Sequence, residues 1–193
     1  MLVTILGPDG SGKTTLAKNV VNAINGSEYV YLGHNPEHRS YLWLNDILQS
    51  AGSQFILFKP LRRFIITFND YLEYRKSKVK MRISDRWVID SLVQTRVYKR
   101  LMRHYYKMVV TLFPKPDLVI LLAGDENKIW QRKKELNPQL ISEYITNYKN
   151  YLSKNNVHYK TIDTTENSVE ECTLIAKNYI DEYQQKPQHI KMV

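Results

Sequence analysis

Short apolar runs alternate with stretches of helical spacing along this chain, and most runs stop at a glycine or a polar turn. The first, from Leu2 to Leu6, ends at Gly7, as a buried strand does. From Thr14 to Asn25 the apolar residues Leu16, Val20, Val21 and Ile24 share one helical face, and Asn25-Gly26 ends the pattern. Tyr29 to Leu32 is predicted as a second strand, stopping at Gly33. His34 to Ser40, with Pro36 inside it, is predicted irregular. Tyr41 to Lys80 reads as helices interrupted near Ala51-Gly52-Ser53 and at Lys59-Pro60. A third strand is predicted from Met81 to Ser84, ending at Asp85-Arg86. A long helical pattern, from about Ser91 to Leu112, is stopped by Phe113-Pro114-Lys115-Pro116. Asp117 to Ala123 is a continuous apolar run suited to a central strand covered on both faces. Helices follow over Asn127 to Leu136 and Pro138 to about Lys154, then a fifth strand over Val157 to Ile162. Ser168 and Glu171 form a capping-box signature that opens a last helix to about Tyr183. This alternation of strand and helix predicts an α/β fold with a mostly parallel sheet.

No internal repeat, Ser/Gly linker or low-complexity tract interrupts the pattern. The expected organisation is one domain over residues 1–183 with a loose tail over 184–193. A chain of 193 residues with 43% hydrophobic residues is long and apolar enough to bury a core without staples. Its single cysteine, Cys172, excludes a disulfide scaffold and a cysteine-based zinc cluster. The amino-terminal MLVTILGPDGSGKTT lacks a basic leader region, and no run reaches the ~18 residues of a membrane span. With the lone thiol, these features point to a reducing cytoplasm. Lys plus Arg outnumber Asp plus Glu by 28 to 19, a formal charge of +9. Such an excess suits anionic ligands such as nucleotides, phosphorylated substrates or nucleic acid, or serves only as a solubilising surface.

Gly7-Pro8-Asp9-Gly10-Ser11-Gly12-Lys13-Thr14 changes that picture, because it matches the phosphate-binding pattern G-x-x-x-x-G-K-[ST] between a predicted strand and a predicted helix. Gly7, Gly10 and Gly12 permit left-handed backbone and leave no Cβ in the way of a phosphate. Successive N–H groups then form an anion nest at the positive end of the helix dipole. Lys13 supplies a mobile charge for the β- and γ-phosphates of a nucleoside triphosphate, and the Thr14 hydroxyl is suited to Mg²⁺. Ser11 and Thr15 complete the loop residues assigned to nucleotide binding.

Two further features address what happens to the phosphate. Asp9 lies inside the loop, where a carboxylate needs a cation, a metal-bound water or an acceptor hydroxyl. Its other reading is an Asx turn. Asp85-Arg86 closes the third predicted strand. In open α/β sheets ligands bind outside the carboxyl ends of the strands, so this pair is expected to face the loop. Arg86 has the fork to clamp a phosphate, and Asp85 either holds Mg²⁺ through water or orients Arg86.

The blocks GPDGSGKTT, SDRW and PDLVILL, followed by a basic helix, resemble the thymidylate kinase family of nucleoside monophosphate kinases over about residues 1–180. The resemblance implies a three-layer sandwich of the P-loop NTPase type: about five parallel strands, helices on both faces and a small lid near residues 127–140. It implies a kinase that uses ATP and Mg²⁺ and moves the γ-phosphoryl to a nucleotide acceptor. Lys13, Asp9, Arg86 and a lid cation would carry the transfer, and Thr14 and Asp85 would serve the metal. A homodimer is also implied. The chain departs from the family where an Arg-Glu-Pro segment usually follows the second strand. Here that stretch is Leu32-Gly33-His34-Asn35-Pro36, with Arg39 later. It also places Ala123, followed by Gly124-Asp125, where an aspartate usually closes the PDLVILL strand. The acceptor therefore stays open between a nucleoside monophosphate and the hydroxyl of a nucleoside, a sugar or a saccharide.

Trp130-Gln131-Arg132-Lys133-Lys134-Glu135 falls where a lid is expected. Arg132 is the first choice of lid cation because its fork bridges two phosphate oxygens. Arg96, Lys99, Arg100, Arg103 and Lys107 follow helical spacing with tyrosines interleaved. They read as a solvated stripe in preference to a single-stranded nucleic-acid surface. The apolar Phe55–Phe68 segment reads as core helix in preference to a membrane-surface helix. His34 and His38 show no metal-ligand pattern, with Pro36 between them and no third ligand.

Overall fold

The computed structural model describes residues 1–32, 79–94 and 107–185, together with positions 68, 71, 72, 74 and 75. Five strands carry the architecture: β1 (Leu2–Leu6), β2 (Ser27–Tyr31), β3 (Met81–Asp85), β4 (Leu118–Ala123) and β5 (Tyr159–Asp163). They form one parallel sheet in the order β2-β3-β1-β4-β5. The helices are α1 (Lys13–Ala23), α2 (Ile89–Gln94), α3 (Glu126–Arg132), α4 (Pro138–Lys154) and α5 (Val169–Gln185). Residues 107–112 are also helical.

The strand alternation distributes the core to both faces. On one face Val3, Ile5, Leu118, Ile120 and Leu122 pack against Leu16 and Val20 of α1 and Ala176 and Ile180 of α5. On the other, Leu6, Val119 and Leu121 pack against Ile89 and Val93 of α2 and Tyr148 and Leu152 of α4. β4 is buried at all six positions, as its unbroken apolar run requires of a strand covered on both sides. Each such side chain removed from water contributes roughly 1.5–3 kcal/mol, so this sheet is the main store of stability. The polar pair within it, Thr4 and Ser84, is satisfied by a 2.7 Å hydrogen bond between the two hydroxyls.

Most predicted elements lie within a few residues of the observed ones. The helix expected to reach Leu136 stops at Arg132, because Lys133 adopts extended backbone (φ −150°, ψ 107°). Asn137 then caps α4 by accepting from the Leu140 N–H, with Pro138 in the first turn, so the chain restarts a separate helix. The predicted capping box is formed: Ser168 N–H donates to Glu171 at 2.7 Å, and Glu171 N–H donates to the Ser168 hydroxyl at 3.2 Å. The expectations for 33–67 and 95–106 lie outside the described residues, including His34, His38, Arg39, most of the Phe55–Phe68 segment and most of the basic series. No described helix is long and apolar enough to cross a membrane.

The topology selects the place of the site. β1 continues through α1 to β2 at one edge, whereas its neighbour β3 leads to β4 on the other side of β1. Connections that leave in opposite directions open a crevice at the carboxyl ends of β1 and β3, where Ile5 is in register with Asp85.

Candidate active site

The loop after β1 is shaped by its glycines. Gly12 caps α1 in left-handed backbone (φ 87°), with no side-chain cap on the first turn, so helix N–H groups are left for an anion. A Cβ built at Gly12 would meet nothing within 4 Å, which leaves an open cradle there. Gly10 has nearly the same φ (89°) but the opposite surroundings. A Cβ there would lie 2.9 Å from the Ile129 carbonyl and 3.1 Å from Lys133 Cβ, so the end of α3 packs directly on the loop.

Lys13 is only 5% exposed. Its ammonium donates to the carbonyls of Gly7 (2.9 Å) and Pro8 (2.7 Å) and to Asp9 Oδ1 (3.3 Å). Burial, then the nearby Arg86 charge, pull its pKa below the usual lysine value, while Asp9 opposes them. Burial by itself would raise the Asp9 carboxyl, but Lys13 and Arg86 outweigh it and hold the group below the ordinary range.

The end of β3 supplies the second half. Asp85 is fully buried, and its Oδ2 accepts from the Thr14 hydroxyl at 2.5 Å and the Tyr29 hydroxyl at 3.1 Å. Burial, then Asp85, raise the Tyr29 pKa. Among the described residues Asp85 Oδ1 has no hydrogen-bond partner. A buried carboxylate oxygen left unpaired beside a threonine hydroxyl fits a divalent cation or its bound water. Arg86 follows in left-handed backbone (φ 73°), uncommon for a residue that carries a Cβ, anchored by its N–H to the Ile5 carbonyl at 3.1 Å. Its guanidinium donates from Nη2 to Asp9 Oδ1 and from Nη1 to Asp90 Oδ2 at 3.4 Å. Asp90 in turn accepts from the buried Tyr148 hydroxyl of α4 at 3.0 Å. Burial pushes the Asp90 carboxyl up to about 6, against the opposing pull of Arg86 and Lys13.

A cavity of about 380 Å³ adjoins the loop, lined by Gly12, Thr15, Arg132, Thr164, Asn167 and Cys172 among others. Arg132 is held at its wall, with Nη2 donating to the Thr164 carbonyl at 2.7 Å and Nη1 reaching its hydroxyl at 3.4 Å. The wall itself is a tight turn. Asp163 Oδ1 accepts from Thr165 N–H (2.8 Å), the Thr165 hydroxyl (2.7 Å) and Glu166 N–H (3.1 Å), and the Asn167 amide donates to the Asp163 carbonyl at 2.7 Å.

Asp9, Lys13, Thr14, Asp85 and Arg86 thus meet in one crevice, joined by two hydrogen-bonded clusters. Thr15 and Arg132 lie at the neighbouring cavity. Ser11 is buried, and its hydroxyl has no hydrogen-bond partner among the described residues. The sequence reading missed Asp90 and Tyr148, and also Thr164, Asn167 and Cys172 at the cavity. Asp90 sits four residues past Arg86, a spacing that hinted at contact on a helix. Nothing local marked Tyr148 or the cavity wall.

A family model described as thymidylate kinase matches residues 5–186. A curated relative from Metallosphaera sedula, described as a probable thymidylate kinase, is 29% identical over 138 residues, 68% of this chain and 64% of the relative. The match thus spans less than two thirds of that relative's length. Among solved structures, the thymidylate kinase of Candida albicans is similar with a TM-score of 0.70 at 16% identity, covering 95% of this chain and 92% of that one. A deoxyadenosine kinase from M. mycoides is similar with a TM-score of 0.63 at 15% identity, covering 94% and 100%. At such identities the structural likeness speaks to the fold, a P-loop NTPase sandwich.

Proposed function

The chain belongs to the thymidylate kinase family, and from that premise we propose that it is a Mg²⁺-ATP-dependent phosphotransferase that moves the γ-phosphoryl of ATP to a nucleoside monophosphate. The observation that carries the reading is the junction of the two halves: Thr14 of the phosphate loop bonded to Asp85, and Asp9 of the same loop bonded to Arg86. A phosphate loop alone serves many reactions, but this junction brings a metal-suited pair and an arginine to one crevice.

Each residue has a task. The loop N–H groups and the Gly12 cradle bind the donor phosphates, and Lys13 turns from its own carbonyls toward the β- and γ-oxygens. Thr14 and Asp85 hold Mg²⁺, which when bound neutralises charge on the donor phosphates. Arg86 clamps the acceptor phosphate. Asp9 releases Arg86 and faces the acceptor side. Catalysis is then positioning and charge neutralisation, with little covalent work for the protein. The cavity beside Arg132 and Thr164 receives the donor base. The segment near residues 127–140 acts as a lid, with Lys133, whose Cβ abuts Gly10, standing over the phosphate loop alongside Arg132. The single domain is assigned to residues 1–185, because the last helix continues to Gln185, and the rest of the expected tail, 186–193, lies outside the described residues. A homodimer in the cytoplasm is the assembly and location that go with this reading.

The test is ADP release from Mg²⁺-ATP against a panel of dTMP, other nucleoside monophosphates, nucleosides and sugars. Stimulation by at least one monophosphate is expected. Indifference to every nucleotide, with release driven by a nucleoside or sugar, overturns the assignment of the acceptor.

A further inference from the structure

Asp90 is a buried carboxylate to which the transfer just described assigns no task. Its residue is 7% exposed, and a carboxylate withdrawn from water is costly unless its oxygens are bonded. Both are: Oδ1 accepts from Tyr148 at 3.0 Å and Oδ2 from Arg86 at 3.4 Å. The placement is built by the backbone. Arg86 turns through left-handed φ after β3, α2 opens at Ile89, and Asp90 in its first turn faces back toward the guanidinium.

Arg86 is therefore gripped by two carboxylates of different character. The Asp9 side chain is 23% exposed and rides on the phosphate loop, where it also faces Lys13. The Asp90 side chain is 10% exposed and is braced by a hydroxyl that is itself fully buried on α4. A phosphate entering the crevice competes with Asp9 for the guanidinium, whereas Asp90 lies behind it, on the protein side. We propose that Asp90, braced by Tyr148, is a positioning residue for Arg86, keeping its guanidinium aimed at the acceptor phosphate when Asp9 gives up its contact. This rests on the kinase reading above and extends it to a residue that touches no substrate. It also ties the aim of Arg86 to α4, the helix that follows the lid segment.

The experiment measures ADP release with ATP and dTMP as the probe acceptor, or with the best monophosphate of the panel, for Asp90→Asn, Asp90→Glu and Tyr148→Phe. Asp90→Asn is repeated in an Arg86→Ala background, and thermal unfolding monitors the fold. Loss of a hydrogen bond to a charged group predicts that Asp90→Asn raises the acceptor KM about tenfold, with the ATP KM within about twofold. Tyr148→Phe should shift the acceptor KM the same way by about threefold, and Asp90→Glu should recover part of the loss. In the Arg86→Ala background Asp90→Asn should add nothing, because Asp90 acts through Arg86. An unchanged acceptor KM in both Asp90→Asn and Tyr148→Phe overturns the assignment. So does an equal rise in the ATP KM, or a full additional loss on top of Arg86→Ala. A wild-type protein that transfers to no nucleotide overturns the kinase reading instead, which keeps the two failures apart.

Discussion

In the phosphate loop Lys13 is held by carbonyls five and six positions back in its own chain. At the end of β3, by contrast, Arg86 is held by Asp9, 77 positions earlier, and its support Asp90 by Tyr148, 58 positions later. The first arrangement closes a short loop and forms wherever the β1 and α1 context exists. The second exists only after the sheet has brought β1, β3 and α4 together, and the chain entropy of closing those loops is offset by the core beneath them. The comparison teaches that the phosphate loop is a local device, whereas the arginine clamp beside it is a product of the tertiary fold.

The sharpest way to break the comparison is Lys13→Ala. Removing a charge aimed at the transferring phosphate should lower the rate of ADP release about 10²- to 10³-fold, while thermal unfolding stays cooperative because the core is untouched. An undiminished rate would sink the reading of the phosphate loop.

A finer test uses the two glycines of nearly equal φ. Gly10→Ala places a methyl 2.9 Å from the Ile129 carbonyl, on top of the backbone strain shared by both positions. It should cost about 1–3 kcal/mol, read by urea unfolding, and more than Gly12→Ala, whose methyl meets no protein atom within 4 Å. Gly12→Ala should instead weaken nucleotide binding, measured by calorimetry with Mg²⁺-ATP. The reverse ranking would mean that the loop is supported from within and not by α3.

The smallest effect is in pH dependence. Burial holds the folded Asp90 carboxyl at about 6, above the ordinary aspartate value of 3.8. The folded state therefore binds this proton more tightly than the unfolded chain. The stability this contributes is full below about pH 4 and is lost as pH rises through about 6. Arg86, Lys13, Tyr148 and Asp9 are the groups facing it. Asp9 is shifted the other way, so its contribution is lost only as pH falls below the ordinary carboxylate range and leaves the pH 5–7.5 window to Asp90. The melting temperature of the wild type minus that of Asp90→Asn should be larger at pH 5 than at pH 7.5. An equal difference at both would show that Asp90 does not hold its proton in the fold.

What was readable in advance follows the same division. The β4 run, the Gly7–Thr14 loop and the Ser168–Glu171 capping box announce themselves because hydrogen-bond partners and apolar periodicity lie within a few residues of one another. The break before α4 was also written locally, in Asn137-Pro138, but the earlier stop of α3 at Arg132 was not, because Arg132-Lys133-Lys134 are all good helix formers.

Amino-acid order by itself thus determined the parallel α/β architecture, the anion-binding loop and the expectation that Asp85-Arg86 would face it, since these depend on short-range geometry and on the rule that strand ends carry sites. Only the tertiary structure decided that Asp90 and Tyr148 stand behind Arg86, that Thr14 meets Asp85, and that Thr164 and Asn167 wall a cavity with Arg132. Those contacts join positions 32 to 77 residues apart or line a shared space. Their existence depends on strand order and register, which no local pattern specifies.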